Sequence, residues 1–393
     1  MLKKILPLFL FPLLFASCSN NPKEQVQTKA SEFYKLAIVD SVRIDILASG
    51  HLPVVDVHDE TGNLLTVDSE NNTVRIISPN GEVLEEKVLI PSSPEGLGSP
   101  VLSGEFFGDD VALSGMYYIK IYNSDLEVQK SMRNYNNKPL MMFMGFNHLF
   151  ETGKKLVAYM GPHTKQSKIT PEYYQEFTIA DLVDPSLKSP EEKRNDDIFK
   201  PIGKLDSVGR YMNGMSYLYI ISHLDVKSGI MYYTHSNDTT LYQFDIEKNS
   251  LVSKTAIPFD KFLLSKGLPQ SPAAYEQARQ SPGDSPGSIS RYYRAGEFDV
   301  LVYKSGLELS KIEELGRDTP DFRTRMNKAN PWKTLIAKDG KRVNRSLTKN
   351  PKISTIHMAD NKGFLWASKN INDLEEEPDF VTIYKMKIVL DDE

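Results

Sequence analysis

The chain has 393 residues, of which 40% are hydrophobic and 25% charged, and its formal net charge is −5 at neutral pH. That composition is ordinary for a globular protein and excludes collagen-like, coiled-coil and wholly disordered chains. Without a global basic field, no nucleic-acid partner is expected. The length allows two or three domains, or one large all-β unit.

Residues 1–17 begin with Lys3 and Lys4 and continue as an apolar run broken by Pro7 and Pro12. A bilayer-spanning helix needs about 20 apolar residues. The shorter run therefore reads as a cleaved signal peptide, with 18–34 as a polar tether and 35–393 as the folded body. Cys18 is the only cysteine. Beyond it no disulfide, thiolate zinc site or cysteine nucleophile can form. The segment Phe15-Ala16-Ser17-Cys18 resembles the lipobox of bacterial lipoproteins, with Phe15 where leucine is usual. The resemblance implies lipid attachment at Cys18 and a chain anchored to the membrane rather than spanning it. Several acyl chains together hold stably where one is marginal.

Residues 36–47 read as a strand. After it comes a repeat. Gly62 leads an apolar strand, a polar turn and a second strand, and the pattern recurs without a gap from Gly229. The same start appears at Gly108, Gly153, Gly296 and Gly363, so that the spacings are 46, 45, 76, 67 and 67 residues. A four-stranded propeller blade needs roughly 40–50 residues, and each longer interval holds an insertion. The strands after these glycines are continuously apolar, as expected of strands covered on both faces. We therefore expect an all-β, six-bladed β-propeller. Its last blade has strands at 353–358, 364–368 and 380–389, and the strand at 36–47 would close it, leaving no open edge. The insertions at 186–200, 265–291 and 312–330 are polar or rich in Pro and Gly. The second carries a short helical piece at 273–280 and the third is partly helical. Long loops on a rigid scaffold are where binding concentrates.

With this start, the six glycine-led strands, and Arg291-Tyr292-Tyr293-Arg294 followed by the apolar strand 298–303, the chain resembles the TolB-like six-bladed propeller lipoproteins, of uncharacterised function, found in Bacteroidota. The resemblance implies a fold and a cell-envelope location. It carries over no catalytic residue.

Among motifs that bear on chemistry, Gly283, Ser285 and Gly287 match the nucleophile elbow by letter. That elbow needs a strand before it and a helix after it, and Pro286 removes the N–H that would help build the oxyanion hole, so a loop is expected. The histidines form no metal-binding spacing, although Asp56 and His58 on one strand face, with His51 nearby, would be first candidates. Asp68 to Asn72 reads as a polar hairpin turn, since a calcium loop needs a glycine and a distal glutamate that are missing. The stretch 323–349 holds nine Lys and Arg against one acid, and 373–379 holds five acids; mutual neutralisation on solvated strands and turns is expected. Leu140 to Met144 and the abundant tyrosines read as packing between blades. No catalytic residue, metal or cofactor is assigned. The functional expectation is an outer-membrane lipoprotein, periplasmic or surface-facing, that acts as a binding or scaffold module for a protein, peptide or glycan. The alternative is a propeller hydrolase or lyase with a site on the central axis, built from Asp56, His58, His235 and His357.

Overall fold

Leu64–Asp68 and Thr73–Ile77 are buried at every position. A strand is covered on both faces only where a sheet packs on each side. The computed structural model, which describes residues 32–46, 52–134, 148–161, 168–188, 194–217, 220–371 and 379–392, shows how this is achieved. Six four-stranded antiparallel sheets stand around one axis as the blades of a propeller. Blades 1 to 5 take their strands in chain order from residues 54–88, 103–133, 148–204, 222–256 and 288–342. Blade 6 combines Ile353–Ala359, Leu365–Lys369 and Val381–Leu390 with the N-terminal strand Tyr34–Ile44, which pairs antiparallel with Val381–Leu390. The expected closure of the last blade by the first strand is thus present, three residues upstream of the anticipated end.

The first strand of each blade is the innermost. Each inner strand contacts the next around the ring, and blade 6 contacts blade 1. Between neighbours lies an apolar layer, so the core is divided into six wedges. Leu65 and Val74 of blade 1 pack on Val111 and Leu113 of blade 2. Leu64 and Ile77, on the opposite face of the same blade, pack with Ile44, Trp366 and Ile383 at the seam with blade 6. The period-2 alternation of a strand therefore sends successive apolar residues to two different neighbours. Burying each such side chain contributes about 1.5–3 kcal/mol.

The six glycines named from the repeat sit in the turns between first and second strands. All adopt positive φ, from 59° at Gly108 to 80° at Gly363. At Gly108 and Gly153 a Cβ would meet nothing within 4 Å. The requirement there is backbone conformation, not room.

Because the strands alternate in direction, the turn glycines mark one end of the ring. Connections from second to third strands and from blade to blade emerge at the other end. The major insertions leave there, except 184–198, which joins the third and fourth strands of blade 3 at the turn-glycine end. They carry the helices Pro171–Glu176, Pro272–Gln280, Leu309–Glu314 and Phe322–Ala329, so both expected helical pieces are present. Met215–Ser216 and Leu268–Pro269 pair to join two insertions above blade 4. Among the described residues no helix is long and apolar enough to cross a membrane. Residues 1–31, expected to hold a signal peptide and most of a tether with Cys18, lie outside the described residues, as do His51, Leu140 to Met144 and most of the acidic run.

Candidate functional site

The six inner strands enclose a cavity of about 410 Å³ on the axis. It runs from the hairpin Asp68–Glu70 at the insertion end to Lys227 and Asn361 at the turn-glycine end. The blade 4 inner strand, Ser222–Lys227, shows how the sequence lines it. His223, Asp225 and Lys227 alternate along one face, and all three border the cavity. Leu224 and Val226 alternate with them and join the core between blades 3 and 4.

Inner strands of neighbouring blades are not paired by backbone hydrogen bonds, and side chains take over that task. Asp56 Oδ2 accepts from Phe106 N at 2.7 Å, joining blade 1 to blade 2. Glu105 Oε1 accepts from Glu151 N at 2.9 Å, joining blade 2 to blade 3. Tyr159 Oη accepts from Ser222 N at 2.9 Å, and Asp225 Oδ2 accepts from Arg294 N at 2.9 Å. Tyr293 Oη donates to Ile356 O at 2.5 Å. At the seam, His357 Nδ1 accepts from Val54 N at 3.1 Å, while its Nε2 meets Ser368 Oγ at 2.7 Å. Every joint has such a clasp, and in each a side chain of the earlier blade engages backbone of the next.

Electrostatically the cavity has two halves. Toward the turn-glycine end stand the carboxyl groups of Asp56, Glu105 and Asp225 and the ammonium of Lys227, and Glu151 and Asp360 also border the cavity. Burial lifts Asp56 to about 7. Burial, and then the neighbouring Asp56, lift Glu105 well above the usual carboxyl range. Asp225 is also raised by burial, partly offset by Lys227, whose Nζ lies 3.4 Å from Asp225 Oδ1. Burial alone would lower Lys227, but Asp225 and Glu105 more than offset it and hold the ammonium above its ordinary value. Lys227 also crosses the axis, donating to Ala359 O at 2.9 Å and Asn361 Oδ1 at 3.1 Å in blade 6. Toward the insertion end stand Arg291, His148 and His223, with Asp68 and Glu70 of the hairpin at the rim. Burial, followed by the Arg291 charge, depresses His148 to about 4 and His223 to about 3. Both are neutral at physiological pH, which leaves Arg291 as the cation of that half.

Of the four residues proposed for a catalytic alternative, the structure brings two to the axis. Asp56 and His357 line the cavity, each as a clasp. His58 does not share a strand face with Asp56, because the strand Val54–Val57 ends before it. It sits in the following turn, its Nδ1 accepting from Glu60 N and Thr61 N. His235 is in the second strand of blade 4, bonded to Ser222 Oγ and edge-on to Phe177 and Tyr211. The expected four-residue convergence is absent. Glu105, His148, His223, Asp225, Lys227 and Arg291 were not singled out by sequence. Their common signal is position, two to six residues before the turn glycine.

The remaining motifs fall where packing puts them. Ser285 forms a β-bridge with Leu307, and Asp284 accepts from Leu309 N, so the elbow-like letters are a loop. Asp68 Oδ1 accepts from Glu70 N and Asn71 N, which makes its segment a hairpin turn. In the basic stretch, Lys338 pairs with Glu297 and Arg325 with Asp321, while Arg342 pairs with Asp260. Neutralisation thus comes from acids of other segments as well as from near neighbours.

No sequence-family profile matches the chain, and no curated protein sequence does either. Its fold is similar to that of a member of the DUF4221 family from Bacteroides vulgatus, with a TM-score of 0.61 and 12% identity over 92% of this chain and 100% of that one. It is also similar to a putative exported protein from Bacteroides fragilis, with a TM-score of 0.55 and 11% identity over 90% of this chain and 95% of that one. The chain shares the fold of these two Bacteroides proteins. At such identities the likeness concerns architecture, in keeping with the resemblance expected from the repeat.

Proposed function

We propose that this propeller is a lipid-anchored binding module of the bacterial cell envelope, which takes its ligand into the axial cavity from the insertion end. In this reading residues 1–17 are removed on export, Cys18 carries the lipid, 18–34 tether the body and 35–393 form the propeller. The Cys18 segment supports the anchor. The supporting observation for binding is the cavity, which gathers ionisable side chains from several blades inside a rigid ring. Its volume lies within the usual range of small-ligand sites, about 300–1,000 Å³. The helix-bearing excursions leave the ring at the same end and frame the entrance, while Lys227 obstructs the other. Ligands are expected to be a protein segment, a peptide or a glycan.

Two measurements test the proposal. The intact mass of the membrane-extracted N-terminus should show acylated Cys18; a full-length N-terminus beginning at Met1 contradicts the anchor. A photo-crosslinking residue placed at the exposed Glu70, beside the entrance, should capture an envelope component in cells. The same residue at exposed Lys154, at the turn-glycine end, should not. Equal capture from both positions, or none, refutes the placement of the entrance.

A further inference from the structure

We infer that the cavity takes a short zwitterionic peptide, with its carboxylate at Arg291 beside His148 and His223 and its ammonium among Asp56, Glu105 and Asp225. The inference rests on the cavity being the ligand site and names the ligand's chemistry.

Charge layout gives the first reason. Among the described lining residues the cations are Arg291 and Lys227, and Lys227 is already shared between Asp225, Ala359 and Asn361. The carboxylate half is therefore short of positive charge. Asp225 Oδ1 is buried without a hydrogen-bond partner and meets Lys227 only at 3.4 Å. A ligand ammonium brings a positive charge and three N–H donors. At the other half, Arg291, whose Nη1 also donates to Ser290 O at 2.9 Å, brings a guanidinium charge beside neutral imidazoles to a carboxylate.

Spacing gives the second. His223 and Asp225 are two residues apart on one strand, or about 7 Å at a rise of ~3.3 Å per residue. Asp225 also contacts the backbone of Arg294, three positions beyond Arg291, which is about 10 Å along that strand. The charges of a free amino acid lie only about 3 Å apart, and each added residue extends the chain by at most ~3.6 Å. Two or three residues bridge the gap and one does not. Phe150, Ile356 and Met358 on the wall favour apolar side chains. An acidic sugar would satisfy Arg291 but bring hydroxyls, not a cation, to the carboxylates. A metal ion is not favoured, since no group of three ligating side chains is suitably placed among the described residues.

The test is isothermal titration of the purified full-length protein with Leu-Leu and Ala-Leu-Leu, with their N-acetyl and C-amide forms, and with glucuronic acid. The free peptides should bind, and blocking either terminus should weaken binding about tenfold or more, a difference of ~1.4 kcal/mol. Arg291→Gln should weaken the free peptides by a similar factor and leave the C-amides unchanged. Glu105→Gln should spare the N-acetyl forms in the same way. Should Arg291→Gln fail to fold, as judged by its thermal transition, Arg291→Lys serves, since it keeps the charge but loses the planar guanidinium. If blocked peptides bind as well as free ones, or no peptide binds while glucuronic acid does in an Arg291-dependent manner, the zwitterion inference falls and the cavity reading stands. If neither class binds at millimolar concentration and the Glu70 crosslinker captures nothing, both fall.

Discussion

Asp56 carries opposed duties. Its carboxylate accepts the Phe106 amide across the joint between blades 1 and 2, yet burial raises it from 3.8 to about 7. The folded state therefore holds this proton more tightly than the unfolded chain does. Linkage then gives the sign: the stabilising contribution is complete below pH 4 and is lost as pH rises through 7. Each pH unit between the two values is worth about 1.4 kcal/mol, so the interval from 3.8 to about 7 limits the cost of ionisation above pH 7 to ~4 kcal/mol. The attraction of Lys227 is already contained in that value, and about 2 kcal/mol is the expected net effect once the higher effective dielectric of a real interior is allowed for. Asp56→Asn keeps an oxygen for Phe106 N and cannot ionise. At pH 8 the variant should be more stable than the parent by about 2 kcal/mol, with the difference shrinking toward zero near pH 4.5. Urea unfolding of both proteins at the two pH values, with unchanged m-values, reads this directly. A stability difference that is the same at both pH values, or a variant destabilised at pH 8, would show that the charge of Asp56 is not disfavoured by its surroundings.

Four further outcomes follow from the packing. His148 and His223 sit below their ordinary 6.5, so their contribution is present above pH 6.5 and is lost as pH falls toward 4 and 3; His223→Asn should flatten the loss of thermal stability between pH 6.5 and 5, and an unchanged slope counts against the neutral imidazole. Ile44, fully buried at the seam, should cost about 2–5 kcal/mol on truncation to alanine. Deleting residues 34–44 should expose the edge of Val381–Leu390 and give concentration-dependent association in size-exclusion chromatography, whereas a monodisperse monomer would contradict the closure. Gly153→Ala should lose about 1–2 kcal/mol from its left-handed backbone alone; Gly104→Ala should lose more, because its Cβ would lie 2.8 Å from Leu113 and 3.0 Å from Leu65, and thermal melts that rank the two the other way would refute the distinction.

Much of the architecture is legible in the sequence because two strong signals repeat. Gly62 and its counterparts mark turns that need positive φ, and the strands behind them, such as Leu64–Asp68, are apolar throughout because neighbours cover both faces. The closing strand could be anticipated from an outer strand missing in the last unit. The site was less legible for a physical reason. Ser222–Lys227 alternates polar and apolar residues, as a strand facing bulk solvent does. In a ring the polar face looks inward, and periodicity does not distinguish water outside from a cavity within. Asp56 and His357 stand out by residue type, while nothing in the sequence separates Asp225 and Lys227 from surface residues. His235 was misjudged because a buried aromatic wedge and a cavity wall both accept an imidazole.

Lys227 reaches from blade 4 to blade 6, which are not neighbours. Clasps at the joints fix only local fit, and by themselves would tolerate a slightly wider or narrower bore. A strut spanning two joints constrains the diameter. The calibre of this propeller is thus gauged in part by the length of one lysine, and shortening that side chain would alter what the bore admits before it altered the blades.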